Sequence, residues 1–484
     1  MKLQTLIANL EYTKIIGNKE QEITGLCSHS KQLLFGNLFV AKRGCQEAHI
    51  EEAVANGAVG VVTELYNPFL SEHIVQLVTK DVDAMEIELA KRFYQQPSTK
   101  LFTVGVTGTN GKTTTTYLIK YLCEKLKQKV GLIGTNEYLI HKRSLPSMRT
   151  TPDLFTIQKL LREMVKNECS SVAMEVSSHG LDQNRVALID FDVAIFTNLT
   201  QDHFDYHGDF ETYFKAKAKL FQGLTSTKVA VLPDEGIWAE RLKQLTRARV
   251  ITYGFSKKAT VRAENIVLSF EKSSFEVHFE ETSARVELTL SGRFNILNYL
   301  AALAALLSQG YKLSDLTTGG MHIPPVTGRM ERVINDAGYK VFVDYAHTPD
   351  ALETVLRALR EYSEGSLFVV FGCGGNRDPL KRPLMGAVAE TYADRVIVTS
   401  DNPRSEDPAL IVRAIVSGMK GTRHTVELDR RKAIKLALQE ATPKDLILIA
   451  GKGHETYQIF AHQTIDFDDR VQVTNLLNEA KCCV

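Results

Sequence analysis

The phrase VGVTGTNGKTTT at residues 104–115 constrains this chain more than any other stretch. It follows a short apolar run at 101–106 and opens a segment with helical patterning, the strand–loop–helix context that a phosphate-binding loop needs. Gly108 and Gly111, with Thr109 and Asn110 between them, let backbone N–H groups approach phosphate oxygens. The helix that starts there adds a favourable dipole. Lys112 can reach terminal phosphates, the Thr113 hydroxyl can ligate Mg²⁺, and Thr114 completes the first turn. The common G-x-x-x-x-G-K-[ST] pattern would put its first glycine at 106, which is Val. That departure points away from motors and GTPases.

A chain of 484 residues suggests about three domains. Its 44% apolar and 24% charged residues are ordinary for a globular protein with ample core. The 58 basic and 57 acidic residues nearly cancel, which argues against bulk attraction to nucleic acid or a membrane surface. The opening MKLQTLIANLEYTK is too short and too acidic for a secretory signal. The apolar run at 297–307 is too short for a membrane span. Seven scattered cysteines match neither a disulfide framework nor a zinc spacing, and Cys482 and Cys483 read as a tail. A reducing cytoplasm is the expected compartment.

Three segments emerge, at 1–98, 99–324 and 325–484, and the fold class is α/β. The first is a small α/β segment with strand-like runs at 33–41 and 59–63, a helix at 50–56 and a linker at 95–100. The second opens with the phosphate loop and a helix at 112–129, then brings polar phrases to the ends of strands at 171–176 and 191–197. The third has four β-rich runs beginning at 341, 367, 396 and 446, each ending in a polar phrase, with helices between. One helix starts at Thr348 as N-cap and Pro349 at N1, with Leu352, Val355, Leu356 and Leu359 facing inward. Such alternation predicts a central, mostly parallel P-loop-type sheet and a second, Rossmann-like one, with ligands at the strands' C-terminal ends.

Seven phrases, in order, resemble the Mur ligase family of ATP-dependent amide-forming enzymes. They are GTNGKTT at 108–114, MEVSSHG at 174–180, TNLTQDH at 197–203, N-x-x-N at 295–298, Gly328-Arg329, DYAH at 344–347 and GKGHE at 451–455. The family makes an acyl phosphate from a carboxylate and ATP, and an amine then displaces phosphate. The resemblance extends to the member that adds a diamino acid to UDP-N-acetylmuramoyl-L-alanyl-D-glutamate in bacterial peptidoglycan precursor synthesis. A cytoplasmic monomer is expected, with ATP and Mg²⁺ as cofactors.

By that resemblance, Lys112, Glu175, His203 and Lys217 carry catalysis, and Thr113, Glu175, His203 and Lys217 surround Mg²⁺. Lys217 is the family's carbamylated lysine (N6-carboxylysine), a change that turns a cation into an anionic oxygen ligand. Asn298 contacts adenine, and Arg329 and Asp344 hold phosphate and ribose. Ser28, Ser30, Thr150, Thr151, Ser177, Gln183 and Arg185 bind the UDP-muramoyl dipeptide. His29 stands where the family has an acidic residue, and the phrase at 44–49 is shorter than the family's. Asp401, Asn402, Pro403 and Arg404 form the family's mark of meso-diaminopimelate selection, completed by Arg377, Gly451 and Glu455. An arginine can grip the distal carboxylate of that amino acid through two parallel hydrogen bonds, which lysine as substrate does not offer. A lysine-adding ligase, a folylpolyglutamate synthase-like ligase and a catalytically silent binding protein are the alternatives.

Overall fold

The computed structural model describes residues 1–318 and 323–482, with side chains described to residue 480. The tail cysteines Cys482 and Cys483 lie outside the described side chains. The chain forms two compact units, one from residues 1–103 and 128–192, the other from 104–127 and 193–484.

In the first unit a five-stranded sheet runs Lys14–Ile16, Val75–Val78, Gly60–Thr63, Asn37–Val40, Gly25–Cys27. The edge strand Lys14–Ile16 is antiparallel and the others are parallel. The parallel strands are buried almost throughout, so they read as continuous apolar runs rather than alternating ones. Helix Val82–Tyr94 packs Met85, Leu89 and Tyr94 into the core beside Leu26, Leu38 and Leu77, and its N-cap Asp81 accepts from the Asp83 and Ala84 N–H groups. The run at 33–41 yields only the strand Asn37–Val40, because Gly36 at φ +84° turns the chain and leaves Phe35 84% exposed. The linker at 95–100 contains a 3₁₀ turn, Pro97–Lys100, with Pro97 and Ser98 buried and the Ser98 hydroxyl donating to the Leu188 carbonyl at 3.3 Å. Four more strands of this unit lie side by side as Ser171–Glu175, Val130–Ile133, Glu137–Ile140, Arg143–Pro146. The fully buried Ser171–Glu175 delivers Glu175 at its C-terminal end.

In the second unit residues 104–107 of strand Phe102–Thr107 pair in parallel with Val193–Phe196, followed by Val229–Pro233 and Arg249–Gly254. Val261–Leu268 continues this run in parallel, and Ser273–Phe279 and Thr282–Leu288 extend it as an antiparallel meander. Helix Lys112–Lys125, four residues shorter than predicted, packs on helix Arg293–Leu307. The second helix is buried nearly all round, the state its apolar sequence demands.

Residues beyond 323 form a six-stranded sheet ordered Glu331–Val333, Lys340–Asp344, Leu446–Ala450, Leu367–Phe371, Arg395–Val398, His424–Val426. Its first strand is antiparallel and the rest are parallel. All four β-rich runs of the sequence are therefore parallel strands, and their polar phrases leave from one edge. Thr348 caps helix Pro349–Arg360 by accepting from the Ala351 N–H, and Leu352, Val355, Leu356 and Leu359 are buried.

Candidate active site

The phosphate loop leaves its strand only after Thr107. Val106 is a fully buried strand residue opposite Ile195, so the turn needs no glycine there. The bend begins at Gly108, where φ is +150° and a Cβ would lie 1.9 Å from Thr197 Oγ1. Phrase 197–203 holds the loop from beneath. The Thr109 N–H donates to the Asn198 carbonyl (3.0 Å), the Asn110 N–H to Asn198 Oδ1 (2.9 Å), and Thr197 Oγ1 to the Asn110 carbonyl (2.6 Å). Lys112 folds over the loop and donates to the Gly108 and Thr109 carbonyls at 2.9 and 2.8 Å. Thr113 and Thr114 are buried in the first turn. Asn298 Oδ1 lies 2.5 Å from where a Cβ at Gly111 would project, and it accepts from Thr115 Oγ1 at 3.4 Å.

Lys217 reaches the same carbonyl from below: its Nζ donates to Gly108 O at 2.9 Å, 4.4 Å from the Tyr213 ring centroid. Burial first, and the Lys112 ammonium second, push the Lys217 amine well below its ordinary pKa. His203 takes φ +58° at the start of helix Phe204–His207, and its Nε2 stands 3.4 Å from Asp202 Oδ2. Asp202 was not singled out in the sequence. It is buried, and His347 Nε2 lies 3.8 Å from the same oxygen. Burial pushes the Asp202 carboxyl up, but His203, His347 and Lys381 outweigh it and hold the group ionised. Its position inside phrase 197–203 was the available signal.

Two further contacts join the loop to residues beyond 323. Arg329 Nη2 donates to Thr113 Oγ1 at 2.9 Å, and Asp350 Oδ2 accepts from Asn110 Nδ2 at 2.8 Å and Thr200 Oγ1 at 3.2 Å. Asp344 accepts from the Met330 and Ala346 N–H groups, both at 2.7 Å, while burial pushes its carboxyl up. Gly451 donates to the Asp344 carbonyl at 3.1 Å, so adjacent strands link the phrase at 344–347 to the phrase at 451–455.

In the phrase at 401–404, Arg404 takes φ +54°, held by its own N–H to the Ile459 carbonyl (3.0 Å) and by Nη1 to the Gly375 carbonyl (2.8 Å). Asp401 Oδ1 accepts from the Asn402 N–H at 2.7 Å. Asn402 donates to Glu455 Oε2 at 2.7 Å, and the fully buried Lys452 ammonium reaches both Asn402 Oδ1 (3.1 Å) and Glu455 Oε2 (3.0 Å). Burial and Asp401 push the Glu455 carboxyl up. Arg377 is exposed on the neighbouring loop. Pro403 and Arg404 border a small cleft of about 280 Å³ with Phe460 and His462. A cavity of about 910 Å³ among Arg249, Thr260, Arg285 and Lys312 holds none of these site residues.

The first unit gathers its own set. Glu175 accepts from the Thr135 N–H at 2.8 Å and from Thr135 Oγ1 at 3.0 Å, and Thr150 Oγ1 sits 3.0 Å from that same hydroxyl. Thr151 Oγ1 donates to the Glu175 carbonyl and accepts from the Ser177 N–H, both at 2.9 Å. Arg185 donates to the Thr151 carbonyl at 2.7 Å and to Gln183 Oε1 at 3.1 Å through Nε. Ser30 is buried and turns its hydroxyl to Glu52 at 2.6 Å, whereas Ser28 is half-buried in the bend before it. Burial first, then Arg149, push the His29 ring below its ordinary pKa.

The Mur ligase middle domain matches residues 106–306, and the Mur ligase glutamate ligase domain matches 328–453. A curated UDP-N-acetylmuramoyl-L-alanyl-D-glutamate–2,6-diaminopimelate ligase of Chlamydia caviae is 43% identical over 485 residues, covering 99% of both chains. The chain belongs to the Mur ligase family. A ligase of the same description from Geobacillus kaustophilus is 44% identical over 97% of this chain and 98% of its own. A solved structure of such a ligase superposes with a TM-score of 0.67 at 33% identity, covering 99% of each chain. Like other Mur ligases, this protein is an ATP-dependent ligase with the family's α/β fold.

Of the donors expected for Mg²⁺, the second unit holds the Thr113 hydroxyl and the His203 imidazole and the first unit the buried Glu175 carboxylate, while an unmodified Lys217 amine offers no oxygen. Among the described residues no group of three or more His, Cys, Asp or Glu side chains could hold a metal ion. The expected set contains only two such side chains, Glu175 and His203.

Proposed function

We propose that this Mur ligase joins meso-2,6-diaminopimelate to UDP-N-acetylmuramoyl-L-alanyl-D-glutamate in the bacterial cytoplasm. The observation that carries the reading is full-length identity above 40% to ligases named for that reaction, with Arg404 fixed between the Gly375 and Ile459 carbonyls. The D-glutamate carboxylate attacks the γ-phosphorus of ATP and ADP leaves. The amine then attacks the acyl carbon, phosphate leaves and the ammonium loses its proton. Lys112 and the N-terminal end of helix Lys112–Lys125 neutralise phosphate charge during the first step. Bound Mg²⁺, held by Thr113, Glu175, His203 and a carbamylated Lys217, would supply further charge neutralisation.

Residues 1–98 form the UDP-muramoyl segment, 99–324 the ATP-binding segment and 325–484 the segment that takes the amine. In this reading Ser28, Ser30, Thr150, Thr151, Ser177, Gln183 and Arg185 form the dipeptide site, with the buried Ser30 and Thr151 supporting it through Glu52, Glu175 and Ser177. Asn298 serves adenine, and Arg329 and Asp344 serve phosphate and ribose. Arg377, Arg404 and the phrase at 401–404 take the carboxylates of the amine, Gly451 completes the site and Glu455 attracts the distal ammonium. The protein acts as a monomer. Among the described residues no helix is long and apolar enough to cross a membrane. Lysine as the amine would leave the Arg404 guanidinium without a carboxylate to meet, which disfavours the lysine-adding alternative.

Replacing Arg404 with Ala should lower kcat/KM for diaminopimelate by about 100-fold or more, with the KM for ATP little changed. Unchanged kcat/KM for diaminopimelate in that variant would refute the assignment.

A further inference from the structure

We propose that Glu406 and Arg382 are positioning residues that set the distance between the two arginines of the amine site, Arg377 and Arg404. The proposal rests on the diaminopimelate reading above. Arg377 and Arg404 sit on separate loops, which follow strands Leu367–Phe371 and Arg395–Val398. Neither loop is regular, and each contains a residue at positive φ, Asn376 at +53° and Arg404 at +54°. Something must therefore hold their spacing.

Glu406 provides the join. Its Oε2 meets Arg382 Nη1 at 2.9 Å and its Oε1 meets Arg382 Nη2 at 3.0 Å, the two-pronged geometry that fixes orientation as well as distance. The same Oε1 accepts from the Asn376 N–H, next to Arg377. Arg382 is 5% exposed and stands near the start of helix Lys381–Tyr392, so the clamp is anchored in regular structure. Ser405 adds a second tie, its Oγ donating to Asn376 Oδ1 at 2.8 Å. Gly375 closes the join by donating to the Asn402 carbonyl at 2.9 Å and accepting from Arg404. One carboxylate thus touches both loops and the helix behind them, while its own oxygens are already engaged by protein groups. Arg382 hydrogen bonding holds the Glu406 carboxyl below the usual carboxylate range, so it is ionised in the working enzyme. A shift in spacing would cost diaminopimelate, whose two ends must be met together, and leave ATP unaffected.

The test is steady-state kinetics of the full chain with ATP, the UDP-muramoyl dipeptide and diaminopimelate each varied in turn. Glu406→Gln keeps the shape and the bond from Asn376 but removes the charge facing Arg382. It should raise the KM for diaminopimelate about tenfold, with the KM for ATP and the dipeptide within about twofold of wild type. Glu406→Ala should do so more severely, and Arg382→Lys, which keeps the charge but not the paired geometry, should fall between. An unchanged KM for diaminopimelate in Glu406→Gln, or a rise shared equally by all three substrates, would overturn the proposal. The two readings fail separately. Wild-type enzyme that releases no phosphate with diaminopimelate would refute the substrate, whereas normal wild-type turnover with an indifferent Glu406→Gln would refute the clamp.

Discussion

Lys112 and Lys217 both donate to the carbonyl of Gly108, so two lysine amines converge on one backbone oxygen beneath the phosphate loop. Such proximity disfavours two ammonium charges, and the fully buried Lys217 is the one pushed towards its neutral form. A neutral amine is the form that adds CO₂, losing a proton to become a carbamate. Intact mass spectrometry in bicarbonate buffer should therefore find the added mass of one CO₂ on the wild type and not on Lys217→Arg. The variant should lose about 100-fold or more in phosphate release. Equal masses, or full activity in the variant, would contradict a carbamylated Lys217. At this scale the sequence offers Gly108, Glu175, His203 and Arg404 as candidates, because each stands inside a phrase that resembles the family's. Asp202, Asp350 and Lys452 lie in or beside the same phrases, yet each also meets a partner distant in sequence, His347, Asn110 and Asn402 in turn. Asp350, for example, meets Asn110, and that pairing has no trace in local sequence.

Strands and helices were legible wherever one physical signal was strong. The parallel strands Lys340–Asp344, Leu367–Phe371, Arg395–Val398 and Leu446–Ala450 announce themselves as unbroken apolar runs, because both faces are covered. The meander from Val261 to Leu288 was missed. Its alternation of buried and exposed positions is broken by the register shift between Glu264 and Val267, with Asn265 at φ +52°. Helix Arg430–Glu440 carries a different lesson. Arg430 is fully buried, paired with Asp469 at 2.8 Å through both Nε and Nη2, and it donates to the Ser400 and Ala450 carbonyls at 3.3 and 3.0 Å. Those carbonyls precede Asp401 and Gly451, so a buried ion pair supports the chain where it leaves two strands of one sheet. Arg430→Ala leaves the Asp469 carboxylate buried without its partner and should cost about 3–5 kcal/mol of stability in urea denaturation. A loss below about 1 kcal/mol would show that the pair contributes little.

For the molecule as a whole, acid sensitivity follows from groups buried without charge. His454 packs 5.1 Å from the Tyr345 ring, and burial together with Arg329 pushes it down to about 3 from 6.5. Between those values the unfolded chain binds a proton that the folded chain does not, so this contribution is complete above about pH 6.5 and fades as pH falls towards 3. The urea midpoint should drop from about pH 7 to about pH 5, and His454→Gln should flatten part of that slope. An identical slope in the variant would exclude His454 as a source.

Activating a peptide carboxylate and then selecting a diamino acid is work for the whole molecule. Phosphate release, followed with ATP, the UDP-muramoyl dipeptide and either meso-diaminopimelate or lysine, tests it most directly. Release should depend on diaminopimelate, with product mass equal to the dipeptide plus that amino acid less one water, and lysine should support far less. Faster release with lysine, or no dependence on either amine, would contradict the account.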